Sequence, residues 1–168
     1  MPTLDDVMNI SRLNFNEIVH LYQQPVYWYI RRVVLIHEDA EDILQETFIK
    51  AYKRMWQLRE KDALKGWLYA IATNEIRRYF KSHRDNVPME ILPSEDLADS
   101  ESVSANNVCQ IISSALLEMT PLQREVFSLR YYDNMDYDSI AIITGSNKNT
   151  LMVSYHEARK KIEKEINK

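Results

Sequence analysis

The sequence predicts an all-α protein of two small helical domains joined by an acidic linker, and three observations lead there. Two glycines in 168 residues, against a usual share of about 7%, leave few of the positive-φ positions that β-hairpin turns need. Apolar residues recur at steps of three and four on both sides of the chain's centre, which is helical periodicity. Between those halves, Asp85 to Ser104 carries six acids, no Lys or Arg, four Ser, Pro88 and Pro93, with apolar residues at no helical spacing. Such a composition buries too little surface to offset its ordering entropy. The predicted division is therefore 1–84, a linker at 85–104, and 105–168. Lobes of this size are marginally stable alone, so partners are expected to complete them.

In the first lobe, Phe15, Ile18, Val19, Tyr22, Val26, Tyr29, Ile30 and Val33 mark one helix, with Asn14 as its N-cap and Pro25 expected to kink it. A second helix starts near Glu38, where Glu38, Asp39, Glu41 and Asp42 meet the positive end of the helix dipole and Lys50, Lys53 and Arg54 follow toward the negative end. A third runs from about Leu64 to His83. In the second lobe, the apolar run from Val108 to Leu117 precedes Thr120-Pro121, an N-cap followed by proline at the first helical position. The next helix covers Leu122 to Tyr132. A short helix from Tyr137 to Ile143, a turn at Thr144-Gly145-Ser146 and a long helix from Asn147 to Ile166 make a helix-turn-helix pattern.

A net charge of −4 points away from nucleic acid when taken as an average. Its distribution reverses that reading: residues 1–84 sum to +2, 85–104 to −6 and 105–168 to 0. No stretch of 18 apolar residues is present, and the N-terminus lacks the basic-then-apolar order of a secretion signal, so the expected location is the cytoplasm, without membrane insertion. The lone Cys109 reads as a small buried hydrophobe. His20, His37, His83 and His156 lie far apart, and there is no Gly-rich phosphate loop or Cys/His cluster. No metal, cofactor or catalytic residue is expected, and the protein is not expected to be an enzyme.

Helical wheels locate the candidate faces. On the third helix, Leu64, Leu68, Ala72, Ile76 and Tyr79 form the core stripe with Ile71 at its margin, leaving Thr73, Asn74, Arg77, Arg78, Lys81 and Arg84 opposite. With Trp67, Tyr69 and Phe80 at the flanks, this face combines phosphate contacts with base-stacking surfaces. On the second helix, Ala40, Leu44, Thr47, Phe48, Ala51 and Met55 face the core, while Asp42, Gln45, Glu46, Ile49, Lys53 and Trp56 line the far side. An apolar pair among charges suits a protein interface. On the last helix, Leu151, Tyr155, Ala158, Ile162 and Ile166 face inward, and Asn149, Val153, His156 and Lys160 face outward with Met152 to the side. Asn149 suits adenine or phosphate, and Met152 and Val153 suit thymine methyls. The residues alone leave two other readings open: a free-standing helix-turn-helix DNA-binding transcriptional regulator, or a helical interaction protein.

The segment Asp39-Ala-Glu-Asp-Ile-Leu-Gln-Glu-Thr-Phe-Ile-Lys-Ala-Tyr52, followed by Gly66-Trp-Leu-Tyr-Ala-Ile-Ala-Thr-Asn74, resembles region 2 of bacterial sigma-70 family factors of the extracytoplasmic-function (ECF) group. Leu117-Glu-Met-Thr-Pro-Leu-Gln-Arg-Glu-Val-Phe127, with Tyr137-Asp-Ser-Ile-Ala141 and Gly145, resembles region 4 of the same group. The resemblance implies a transcription initiation factor that binds core RNA polymerase and directs it to promoters, recognising and helping to melt DNA. It implies that the second helix docks on the clamp coiled coil of the polymerase β′ subunit through Asp42, Gln45, Glu46 and Ile49, joined on this face by Asp39, Lys53 and Trp56. The third helix and its preceding loop, with Arg59, Lys61, Lys65 and Trp67, would open and hold the minus-ten element around one flipped base. Asn74 matches a pocket position, and Arg77, Arg78 and Lys81 would hold the backbone.

Region 4 would meet the β flap and read the minus-thirty-five element, with Arg130, Lys148, Asn149, Thr150, Met152, Val153, His156 and Lys160 as candidates. Here the chain departs from the common pattern. Met152-Val153-Ser154 stands where many members show Lys-Ser-Arg, and Glu157 replaces a frequent Arg. Fewer cations mean fewer phosphate contacts and a more apolar readout. The resemblance further implies that the acidic linker threads channels normally used by RNA, and that an anti-sigma factor covers the same faces.

Overall fold

The computed structural model describes residues 14–83 and 103–168. Seven α-helices and no strand occur among the described residues. The expected linker falls outside them apart from its last residues, which belong to a helix beginning at Val103; Arg84 also lies outside.

In the first lobe, α1 (Phe15–Val34) begins at Asn14, whose side-chain oxygen accepts from the backbone N–H of Asn16 at 3.2 Å. Pro25 sits inside α1 on an exposed position, and the helix continues past it. Leu35 ends α1 with φ 70°, a left-handed conformation, and its N–H donates to the Arg31 carbonyl. After α2 (His37–Arg54), two single 3₁₀ turns at Met55–Gln57 and Lys61–Ala63 lead into α3 (Leu64–Ser82). Side chains at helical spacing fill the space between these helices: Val26, Tyr29, Ile30 and Val33 from α1, Ala40, Ile43, Phe48 and Ala51 from α2, and Leu68, Ile71, Ala72 and Ile76 from α3.

In the second lobe, α4 (Val103–Glu118) and α7 (Lys148–Ile166) pack around Ile112, Ala115, Leu116, Met119, Phe127 and Ala158. Between them, α5 (Pro121–Phe127) opens with a reciprocal cap. The Thr120 hydroxyl accepts from the Gln123 N–H, and the Thr120 N–H donates to the Gln123 side chain. The chain then widens into a π turn over Ser128–Tyr132. Next comes α6 (Tyr137–Thr144), capped by Asp136 and ended by Gly145 at φ 70°. Only a residue without a Cβ takes that angle freely, and it lets the N-cap of α7, Asn147, follow two residues later. Cys109 is buried, as expected of a small hydrophobe. Ile166, expected to face the core, is exposed, because α7 runs on past the apolar contacts of its neighbours.

The lobes are not independent. One apolar cluster runs from Val26, Leu68 and Ile76 in the first lobe to Val126, Leu129, Met135, Ile140 and Leu151 in the second. Leu35, from the end of α1, is buried in the core of the second lobe. This continuity joins two units that sequence alone draws apart.

Candidate polymerase and DNA interfaces

The face of α2 turned away from the core is open. Ala40, Ile43, Thr47, Phe48 and Ala51 are buried, so a 100° step per residue places Asp42, Gln45, Ile49, Lys53 and Trp56 in solvent. Ile49 is 47% exposed and Trp56 79%, and Tyr52 adds a further exposed ring, edge-on to Phe15 at 5.1 Å between centroids. Large apolar side chains ringed by Asp42, Glu46 and Lys53 form an anchor-and-rim surface. Asp39 sits at its margin, half-buried, where its carboxylate accepts from the Tyr79 hydroxyl at 2.8 Å. An ion pair between Lys50 and Glu75 ties α2 to α3.

The outer side of α3 divides in two. Asn74, Arg78 and Lys81 are exposed, as are Arg59 and Lys61 in the turns before the helix, and Arg78 lies 3.9 Å from Glu75. Along the other edge, the second lobe has moved in. The Lys65 ammonium donates to the Asp133 carbonyl at 3.3 Å, the Tyr69 hydroxyl to the Asp133 carboxylate at 2.7 Å, and the Arg77 guanidinium pairs with Glu125 at 3.4 Å. Thr73, expected on the outer face, is buried and hydrogen-bonded to the Tyr29 hydroxyl at 2.8 Å. Tyr69, expected as a stacking surface, is fully buried beside Tyr29. Tyr69 is covered from the second lobe, where Asp133 takes its hydroxyl, whereas Thr73 is turned inward against Tyr29 of α1. Trp67 and Phe80 remain half-buried, packed against the core.

Burial also sets the charges along this seam. Desolvation raises the Glu125 carboxyl, and Arg77 partly opposes it. It raises Asp133 likewise, against the Tyr69 hydrogen bond and Lys65. Arg124, buried beneath them, is lowered to about 10 by desolvation; it donates to the backbone oxygens of Val33, Leu116 and Met119 at 2.8, 3.3 and 2.8 Å.

On α7, the N-terminal turn projects freely. Asn147 caps it by accepting from the Thr150 N–H at 2.8 Å. Lys148, Asn149, Thr150, Met152, Val153, His156 and Lys160 are all exposed. Lys148 pairs with Asp138 at 3.3 Å and Lys160 with Glu157 at 3.3 Å. Arg130 behaves differently: half-buried, it donates to the Met135 carbonyl at 3.0 Å and stacks over Tyr137 at 4.9 Å, holding the turn between the π segment and α6. Among the described residues no group of His, Cys, Asp and Glu could hold a metal ion, and no helix is long and apolar enough to cross a membrane.

A bundle with an open apolar anchor, followed by a helix-turn-helix, matches two known units of one family in the same order. Residues 18–85 match sigma-70 region 2, and residues 109–162 match sigma-70 region 4. The chain belongs to the sigma-70 family. It is an ECF sigma factor, directing RNA polymerase to specific promoters. It is similar to the ECF RNA polymerase sigma-E factor of Haemophilus influenzae, at 29% identity over 168 residues, covering 90% of this chain and 87% of that protein. It is also similar to the RNA polymerase sigma-E factor of Streptomyces avermitilis, at 26% over 155 residues (92% and 86% covered), and to the RNA polymerase sigma factor YlaC of Bacillus subtilis, at 24% over 163 residues (94% of each).

Two solved structures share this sigma factor's fold. The sigma factor RpoE of Bartonella quintana, in complex with the anti-sigma factor NepR, superposes with a TM-score of 0.71 at 23% identity, over 91% of this chain and 96% of that one. CnrH, in complex with the cytosolic domain of CnrY, gives 0.69 at 18%, over 96% and 94%. Reading the sequence for faces located the open surfaces of the sigma factor but missed Arg32, Arg124, Glu125 and Asp133 at its seam. The available signal was charge in apolar company: Arg124 and Glu125 interrupt the run from Leu122 to Phe127.

Proposed function

We propose that this sigma factor binds core RNA polymerase through the outer face of α2, docking Asp42, Gln45, Glu46, Ile49, Lys53 and Trp56 on the β′ clamp coiled coil, with Asp39 at the margin. The observation that carries this is the exposure of Ile49 and Trp56 on an otherwise charged face, a surface whose burial needs a partner. Residues 1–84 act as one unit and 105–168 as the other, joined by the acidic stretch. The loop with Arg59 and Lys61, together with Lys65, Trp67, Asn74, Arg77, Arg78 and Lys81, receives and helps to melt the minus-ten element. The exposed start of α7, with Lys148, Asn149, Thr150, Met152, Val153, His156 and Lys160, reads the minus-thirty-five element, and Arg130 supports it by holding the preceding turn.

The chain contributes binding and no catalytic group; catalysis belongs to the polymerase, in the cytoplasm. An anti-sigma factor, of the kind that NepR is in the complex with the sigma factor RpoE, is the expected inhibitor. Reconstitution with core polymerase, followed by mapping of transcription start sites, tests this reading. Promoter-specific transcripts are expected, and Gln45→Ala with Ile49→Ala should lower affinity for core enzyme at least tenfold. A chain that gives core polymerase no specificity, or a double variant that keeps full transcription, overturns it.

A further inference from the structure

Two faces of the first lobe, the outer side of α2 and the exposed strip of α3, meet at one groove. Its volume is about 320 Å3, with Asp42 and Glu46 on the α2 side and Glu75 and Arg78 on the α3 side. A chain of alternating charge connects the two sides. Lys50 lies 3.9 Å from Glu46 and forms an ion pair with one oxygen of Glu75, while the other oxygen of Glu75 lies 3.9 Å from the Arg78 guanidinium. The ends of this chain differ in kind: Glu46 belongs to the docking face and Arg78 to the strip assigned to DNA. Glu75 belongs to neither, being 8% exposed in the body of the lobe.

We infer that Glu75 positions Arg78, and through it sets promoter specificity without touching DNA; this rests on the reading of α3 as the minus-ten surface. A step of 100° per residue puts Asn74 and Lys81 about 40° and 60° to one side of Arg78, and Glu75 about 60° to the other. On spacing alone, Arg78 is free to lean along the strip, beside the like charge of Lys81, or across toward α2. The carboxylate decides between them by drawing the guanidinium toward α2. Glu75 is itself anchored, because Lys50, with a side chain 22% exposed, supplies the cation that a buried carboxylate needs. The Arg78 side chain meanwhile stays 71% exposed and open to a phosphate.

An anchored acid does two things to such a neighbour. It restricts the arginine's rotamers in advance, so less freedom is lost when Arg78 meets its phosphate. It also partly neutralises the arginine toward phosphates that arrive in any other place. The first favours the promoter, and the second disfavours bulk duplex, whose hold on a protein is electrostatic and blind to sequence. Specificity is the difference between those two affinities. Arg77, the adjacent cation, has its own acid in Glu125, so the two arginines answer to different carboxylates.

The test uses reconstituted holoenzyme and three changes. Glu75→Gln keeps the shape without the charge, Lys50→Met/Glu75→Leu replaces the pair by apolar side chains should a lone glutamine impair folding, and Arg78→Ala removes the positioned group. A duplex carrying a promoter mapped with wild-type holoenzyme and a shuffled duplex of the same length are titrated at several salt concentrations. Both Glu75 variants are expected to lower the ratio of promoter to shuffled affinity at least about threefold, with Glu75→Gln keeping its affinity for core polymerase within about twofold of wild type. In the Arg78→Ala background, the same Glu75 changes should leave the ratio where Arg78→Ala alone puts it, an outcome that general loosening of the lobe would not give. An unchanged ratio in both Glu75 variants, or a fall that persists without Arg78, overturns the positioning role while the minus-ten reading stands. If Arg78→Ala alone leaves promoter binding as in the wild type, the reading of α3 fails and the positioning role fails with it.

Discussion

The two helices proposed to meet DNA present opposite surfaces. α3 is rich in cations, and in the free chain its edge carrying Lys65, Tyr69 and Arg77 is covered by the other lobe. α7 is poor in cations at its working end, and that end stands open, with Val153 63% and Met152 47% exposed. A surface that attracts any phosphate backbone needs covering when no promoter is present, because the electrostatic part of DNA binding ignores sequence. A surface that reads methyl groups and base edges attracts little by itself and can be left uncovered.

The contrast can be broken at three levels. The largest effect comes from the core that binds α3 to the second lobe. Leu68→Ala removes a fully buried side chain from the shared cluster and should cost about 2–5 kcal/mol. The loss should appear in urea unfolding as a single transition, whether followed by fluorescence of the tryptophans, Trp28, Trp56 and Trp67, all in the first lobe, or by the helix content of the whole chain. Two separate transitions would show that the lobes are independent after all.

At the next level, the two helices should fail differently in holoenzyme. Arg77→Ala should weaken binding across promoters alike and reduce the salt slope by about one unit. Met152→Ala should leave the salt slope unchanged and relax preference at one minus-thirty-five position, by about 1–3 kcal/mol if it meets a thymine methyl. Binding titrations at several salt concentrations separate the two.

The smallest effect is one of pH. Glu125 and Asp133 have carboxyls raised by burial, so just above the ordinary carboxylate range the folded chain holds protons that the unfolded chain releases. Their contribution is complete below the unfolded pKa and lost as pH rises through the folded one. The thermal midpoint should therefore rise as pH falls from 7 toward 5, and Glu125→Gln should flatten that rise. Glu118 and Asp136, in the second lobe, are lowered, by Lys164 and by the Ser139 N–H respectively. Their contribution is present above the unfolded value and lost only as pH falls through the folded one.

Most of the helices were legible in the sequence, because each signal was local. Asn14, Thr120-Pro121, Gly145 and Asn147 mark ends that the structure keeps, and the outward face of α2 followed from period alone. Tyr69, Thr73 and Arg77 were not fully legible. A wheel assumes that the side opposite one core is solvent, whereas α3 meets α1 through Thr73 and the second lobe through Tyr69 and Arg77. Nor does local sequence reveal that Arg130 is engaged by Met135 and Tyr137, since an arginine near a recognition helix looks the same whether it holds a turn or faces a phosphate.

The scarcity of glycine returns at the joint between the lobes. Leu35 ends α1 at φ 70°, a backbone angle that costs a residue with a Cβ roughly 1–2 kcal/mol, and it is held there by burial among Ile112, Leu116 and Phe127 of the other lobe. The cap bond from its N–H to the Arg31 carbonyl holds the same angle from the helix side. The joint is thus strained as well as packed: burial across the lobes and the cap bond to Arg31 hold Leu35 at a backbone angle that its Cβ disfavours.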